Sequence, residues 1–162
     1  MDVLSLFNGM SCGRIALEEN GEKVNKYYSS EIDKYANKMA QHLYPDTIQL
    51  GDILNWKEWD IDWSSVDLLL AGFPCQAWSN AGLKKGTDDP RGALVHTLMN
   101  IKAHVQEHNA EVEFMFENVR MKKEHLRYVS ELFGVEPICI NSNLVSAQNR
   151  VRYYWTLSLI HI

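Results

Sequence analysis

Apolar and polar residues fall into blocks along the 162-residue chain, and the blocks alternate between two periods. Short runs rich in β-branched and aromatic residues read as strands: "DVLSLF" (Asp2–Phe7), "KVNKYYSSE" (Lys23–Glu31) and "VEFMFENV" (Val112–Val119), with "TIQLGDI" (Thr47–Ile53) a short strand and turn. "VDLLLAGF" (Val66–Phe73) is apolar without a break, as expected of a strand covered on both faces. Between these runs the spacing turns helical. "RIALEEN" stops at Gly21, and "DKYANKMAQHLY" puts Tyr35, Met39 and Leu43 on one face before Pro45. A long helical stretch runs from Gly92 to His108, and "KKEHLRYVSELFG" is amphipathic and closes at Gly134. "VEPICIN" and "RVRYYWTL" are the last strand candidates. This order predicts an α/β fold, a mostly parallel sheet with helices on both faces.

In an open sheet of that kind a ligand sits beyond the carboxyl ends of the strands. The five predicted ends carry "FNGMSCG", Glu31, "GDI", "FPCQ" and "ENV". Glycines in the first turn permit close approach of the backbone, and the following helix start offers free N–H groups. An ordinary strand-to-helix turn would look the same, and no Gly-Lys-Ser/Thr follows to make a phosphate loop. Glu31 stands where nucleotide-binding sheets place an acid for ribose hydroxyls. Asp52 could accept from an adenine amino group. Each has a plain reading as a solvated or turn carboxylate; the three together favour a cofactor that carries a nucleoside.

Composition narrows the class. With 46% hydrophobic and 23% charged residues the chain has the make-up of a single soluble globular domain, residues 1–162. No apolar run is long enough to span a bilayer and the start lacks a signal-peptide pattern, so no membrane partner and a cytoplasmic location are expected. Cys12, Cys75 and Cys139 are odd in number and unpaired in spacing, against a disulfide framework or a metal site. The net charge of −5 argues mildly against a polyanionic partner, yet basic residues gather at Lys84, Lys85 and Arg91, at Arg120, Lys122, Lys123 and Arg127, and at Arg150 and Arg152.

Cys75 is the residue that buried-core packing explains least. Pro74 stiffens the backbone before it, and a polar loop, "QAWSNAG", follows. A nucleophilic thiol needs positive charge close by, which Arg150 or Arg152 could bring if the last strands fold back. Glu117 ends an otherwise apolar strand. It would lie beside the Cys75 loop if the fourth and fifth strands pair, and burial there would raise its pKa. The bland alternatives are a small core cysteine and a helix-capping glutamate.

In order, "FNGMSCG", "SSEID", "GDI", "GFPCQAWSNAG", "DDPRGAL", "FENV" and "QNRVR" resemble the motifs of the DNA cytosine-5 methyltransferases, over nearly the whole chain. The first turn and "FENV" are most similar to the phage-type and animal de novo branches. The resemblance implies a Rossmann-like S-adenosylmethionine-dependent methyltransferase fold, S-adenosylmethionine as cofactor, and DNA as partner with the cytosine flipped from the duplex. It implies that Cys75 attacks C6 so that C5 can accept a methyl group. Glu117 would engage N3 and the exocyclic amine, and Arg150 and Arg152 would anchor the base or its phosphate. Cofactor contacts would come from Phe7, Asn8, Gly9, Met10 and Gly13, from Glu31 and Ile32, from Asp52 and Ile53, and from Pro74 and Leu94. Gln76, Ser79, Asn118 and Gln148 would face the target nucleotide. Restriction-modification or phage self-protection, in a bacterium or a phage-infected cell, is the implied setting.

The family continues past the last strand with a target-recognition region and a Gly-Asn segment. The chain ends at "WTLSLIHI" instead, and a truncated chain is expected. Two other readings keep the same residues: an RNA cytosine-5 methyltransferase, and a catalytically incomplete partner of a complete enzyme.

Overall fold

A computed structural model describes residues 1–74 and 90–157, with residues 90–92 through their backbone alone. Cys75, Gln76 and Ser79 lie outside the described residues. Seven strands form one sheet: β1 (Asp2–Leu6), β2 (Lys26–Ser30), β3 (Ile48–Gln49), β4 (Val66–Gly72), β5 (Glu113–Val119), β6 (Ile138–Asn141) and β7 (Val151–Thr156). Among the described residues four α-helices connect them: α1 (Cys12–Glu19), α2 (Lys34–Leu43), α3 (Pro90–His108) and α4 (Lys123–Phe133). The strand order is β3-β2-β1-β4-β5-β7-β6. β1 to β5 run parallel, and β7 runs antiparallel to both β5 and β6.

The apolar runs explain which strands are central. Every residue of β1 is buried, because β1 sits between β2 and β4 with side chains packed on both faces. The larger core lies on one face. There Leu4, Leu6, Leu69, Phe114, Phe116 and Trp155 meet Val95, Leu98, Ile101 and Val105 of α3 and Val129 and Phe133 of α4. The three- and four-residue spacing of the α3 set is the stripe a helix needs to face a sheet. Each large side chain so buried contributes roughly 1.5–3 kcal/mol. The second core is smaller: Val3, Tyr27 and Leu70, closed by Leu17, Val24 and Met115.

The third strand is short and runs into a turn, as its sequence suggests: β3 has two residues, the chain turns through Gly51, at φ 75°, and a short 3-10 helix follows at Ile53–Glu58. On α2, Tyr35, Met39 and Leu43 share a face but are exposed, while Ala36, Asn37 and Ala40 turn inward. Both residues of β3 are exposed, so this short edge strand offers the bulky stripe no apolar surface to cover it. Asp33 caps this helix by accepting from the Tyr35 and Ala36 N–H groups. Arg14 of α1 is buried between the rings of Tyr27 and Tyr44 and pairs with Asp46 at 2.8 Å, fastening α1 to the α2–β3 connection. Its hydrogen bond holds the Asp46 carboxyl below the usual range. Among the described residues no helix is long and apolar enough to cross a membrane.

Candidate active site

Parallel pairing from β1 to β5 places five carboxyl ends on one rim, and the strand order reverses between β1 and β4. A crevice opens at such a reversal because the connections leave in opposite directions. Here it is a cleft of about 550 Å³. That falls within the usual range for a small-molecule site, roughly 300–1,000 Å³. β1 and β4 contribute Phe7, Gly72, Phe73 and Pro74. The ends of β2 and β3 bring Ser30, Glu31 and Ile32, then Asp52, Ile53 and Leu54. Across from them stand Glu117, Asn118 and Val119 of β5, Arg150 and Arg152 at the start of β7, and Leu94 of α3.

On the β1–β3 side the carboxylates are tied to backbone. Glu31 Oε2 accepts from the Gly9 N–H at 2.8 Å, and Oε1 from the Ile32 and Asp33 N–H groups at 2.8 and 2.9 Å. A carboxylate has about four acceptor positions, so one stays open for a hydroxyl. Asp52 Oδ1 caps the 3-10 helix through the Leu54 N–H at 2.9 Å. Ser30 Oγ donates to the Gly51 carbonyl at 2.8 Å and holds that turn against β2. Two carboxylates set among Phe7, Ile32, Ile53, Leu54 and Leu94 suit a nucleoside: a flat ring against apolar side chains, with hydroxyl and amino groups at the acids.

On the β5–β7 side the cleft is charged. Antiparallel pairing sets Arg152 opposite Val119, so the diagonal neighbour on the same face is Glu117, two residues earlier. Arg152 Nε lies 2.6 Å from Glu117 Oε1, and its Nη1 donates to the Val151 carbonyl at 2.8 Å. Burial pushes the Glu117 carboxyl above its ordinary pKa, against the pull of Arg152 and Arg150. Gly72 is the partner of Glu117 on β4, and a Cβ there would stand at an ordinary contact distance, 3.5 Å, from Oε2. Tyr154 also ionises less readily than usual, through burial and the Glu117 charge. Asn118 is buried; its Nδ2 donates to the Phe73 carbonyl at 3.0 Å and its Oδ1 accepts from the Val119 N–H. That bond secures the Phe73–Pro74 segment that leads into Cys75.

Of the residues expected from the sequence, Phe7, Glu31, Ile32, Asp52, Ile53 and Pro74 line the cleft, as do Leu94, Glu117, Asn118, Arg150 and Arg152. Asn8, Gly9, Met10, Gly13 and Gln148 do not. Met10 is exposed, and Asn8 is buried with its side chain turned under the turn. Gly13 meets packing: a Cβ there would come within 2.7 Å of Leu70 Cδ1. Gln148 belongs to the β6–β7 connection, where its carbonyl accepts from Ser142 Oγ at 2.8 Å. Ser30, Leu54, Gly72, Phe73 and Val119 were given no role from sequence, although Leu54 directly follows Ile53 and the other four lie inside the motifs "SSEID", "GFPCQAWSNAG" and "FENV".

Known proteins are similar to this chain in sequence and in fold. The chain is 39% identical over 123 residues to the type II methyltransferase M1.ScrFI of Lactococcus lactis subsp. cremoris, covering 76% of this chain and 30% of that protein. It is 36% identical over 166 residues to the type II methyltransferase M.HgiCI of Herpetosiphon aurantiacus, covering 95% of this chain and 37% of that one. It thus spans about a third of the length of these relatives. A DNMT2 mutant of Spodoptera frugiperda has the same fold, with a TM-score of 0.62 at 23% identity over 96% of this chain and 49% of that one. The family profile of the C-5 cytosine-specific DNA methylases matches residues 1–135, which include the first five strands and α1 to α4. The chain belongs to the C-5 cytosine-specific DNA methylase family.

Proposed function

We propose that this chain carries the catalytic cleft of an enzyme that methylates C5 of cytosine in DNA, with S-adenosylmethionine held at the β1–β3 side of the cleft. One observation carries the reading: Glu117 and Arg152 form an ion pair in the same cleft that Glu31 and Asp52 line. Glu31 would take a ribose hydroxyl at its open acceptor position. Asp52 would take the adenine amino group, with Phe7, Ile32 and Ile53 against the ring. Bound there, S-adenosylmethionine would supply an electrophilic methyl group.

Cytosine C5 is a weak nucleophile while the ring is aromatic. The Cys75 thiolate adds to C6; the C5–C6 π pair moves to C5, and N3 gains electron density. Glu117 meets that change. Burial raises its affinity for a proton against the pull of the arginines, and a proton it takes up would be shared with N3 as the thiolate adds. Arg152 and Arg150 then stabilise the carboxylate left behind. After C5 has taken the methyl group its proton passes to water, N3 returns its proton to the Glu117 carboxylate, the S–C6 bond breaks to release the thiolate, and the ring regains aromaticity. The base reaches this cleft only by leaving the stack, at a cost of a few kcal/mol.

A duplex carrying 5-fluorocytosine tests the proposal, because the C5 substituent cannot leave and the adduct persists. With S-adenosylmethionine present, a covalent complex through Cys75 is expected on duplex DNA and not on tRNA. Failure to trap the duplex, or trapping that survives Cys75→Ser, contradicts it.

A further inference from the structure

The backbone from Phe7 to Ser11 follows a course that few side chains tolerate. Phe7 and Ser11 have φ of 54° and 63°, in the left-handed region, and Gly9 lies there too at 56°. Only the glycine adopts it without steric cost. Something must hold the other two.

Beneath the turn lies a closed set of hydrogen bonds centred on Asn8. Its Oδ1 accepts from Ser5 Oγ and from Tyr27 Oη, each at 2.9 Å, and its Nδ2 donates to Ser11 Oγ at 2.9 Å. Its backbone N–H donates to the Ser30 carbonyl and its carbonyl accepts from the Ser11 N–H, both at 3.2 Å. Ser5, Asn8, Ser11 and Tyr27 are all buried. Buried polar groups of this kind are costly unless all are partnered, so the set forms or fails as a unit. Burial also pushes the Tyr27 phenol up to about 12, which keeps it a neutral donor. Gly13 packs against this set: a Cβ there would touch Tyr27 Oη at 3.4 Å and collide with Leu70 Cδ1 at 2.7 Å. None of these four side chains lines the cleft. Phe7 does, and the Gly9 N–H reaches the cleft-lining Glu31.

We infer that Ser5, Asn8, Ser11 and Tyr27 are positioning residues for the cofactor site. Their hydrogen bonds keep the Phe7–Ser11 turn in its left-handed course, so that Phe7 faces the cleft and the Gly9 N–H meets Glu31. This rests on the reading that the cleft takes S-adenosylmethionine. Tyr27 is the distal anchor, reaching the turn from the neighbouring strand.

Tyr27→Phe removes one donor and keeps the ring. Three quantities decide the matter: the affinity for S-adenosylmethionine by calorimetry, the melting temperature without ligand, and amide exchange across the chain. Loss of one buried hydrogen bond should weaken binding about five- to tenfold. Exchange should quicken at Gly9, Ser11 and Cys12 while the α3 amides keep their rates. Ser5→Ala, a smaller deletion from the same set, should move both in the same direction by less. Ser130→Ala is the control: it removes a buried bond of similar length, 3.0 Å from Trp155 Nε1, far along the chain from the turn. It should lower the melting temperature and leave affinity unchanged. Equal affinity in Tyr27→Phe and the unmodified protein, or faster exchange spread evenly over the chain, overturns the inference. If the unmodified protein binds no S-adenosylmethionine, the cofactor reading fails, and the exchange pattern alone judges the network.

Discussion

The two ends of the cleft are built on opposite plans. At the β1–β3 end, polar side chains serve the backbone: Glu31 gathers three N–H groups, Asp52 caps a helix, and Asn8 lies under the turn. At the β5–β7 end, the backbone serves the side chains: strand register sets Glu117 against Arg152. The first plan yields a shape and the second a charge whose proton can move. Substitutions at the first end should therefore change how tightly a ligand binds. Substitutions at the second should change how fast it reacts.

The sharpest break of this contrast is Cys75→Ser. Methyl transfer to duplex DNA should fall below detection, while calorimetry with S-adenosylmethionine should match the unmodified protein. Next comes Glu117→Gln, which keeps the shape and removes the titrating proton. Turnover should drop by about 10²–10⁴-fold, the usual contribution of a positioned acid or base, as read by incorporation of labelled methyl groups. Glu31→Ala should act the other way. It leaves the Gly9, Ile32 and Asp33 N–H groups without their shared acceptor, and cofactor affinity should fall by about tenfold or more.

The smallest expected effect is on pH dependence. Burial raises the Glu117 pKa, so the folded protein binds that proton more tightly than the unfolded chain does. Its contribution to stability is present below the ordinary carboxylate range and is lost as pH rises through the raised value. Subtracting the melting curve of Glu117→Gln from that of the unmodified protein across acidic pH should show a difference that declines with rising pH. A flat difference would mean that the two arginines cancel the burial.

Much of this architecture was legible in the sequence. The unbroken apolar run of β4 marked a doubly covered strand, and parallel order put Glu31, Asp52, Pro74 and Glu117 on one rim. Side-chain direction was not legible. "FNGMSCG" reads as a ligand-facing loop throughout, but the left-handed backbone at Phe7 and Ser11 turns Asn8 under, toward a tyrosine on the next strand. Gly13 reads as room for a ligand and in fact packs against Leu70 and Tyr27. On α2 the spacing of Tyr35, Met39 and Leu43 gave their shared face correctly. Which face would be buried depended on how little sheet β3 supplies, and helical periodicity carries no record of that.

The division of labour has one direct measurement: titration of S-adenosylmethionine into the unmodified protein, Glu31→Ala and Glu117→Gln side by side in a calorimeter. Weakened binding in Glu31→Ala with near-normal binding in Glu117→Gln is the predicted result. Equal losses in both, or no binding heat in the unmodified protein, would contradict it.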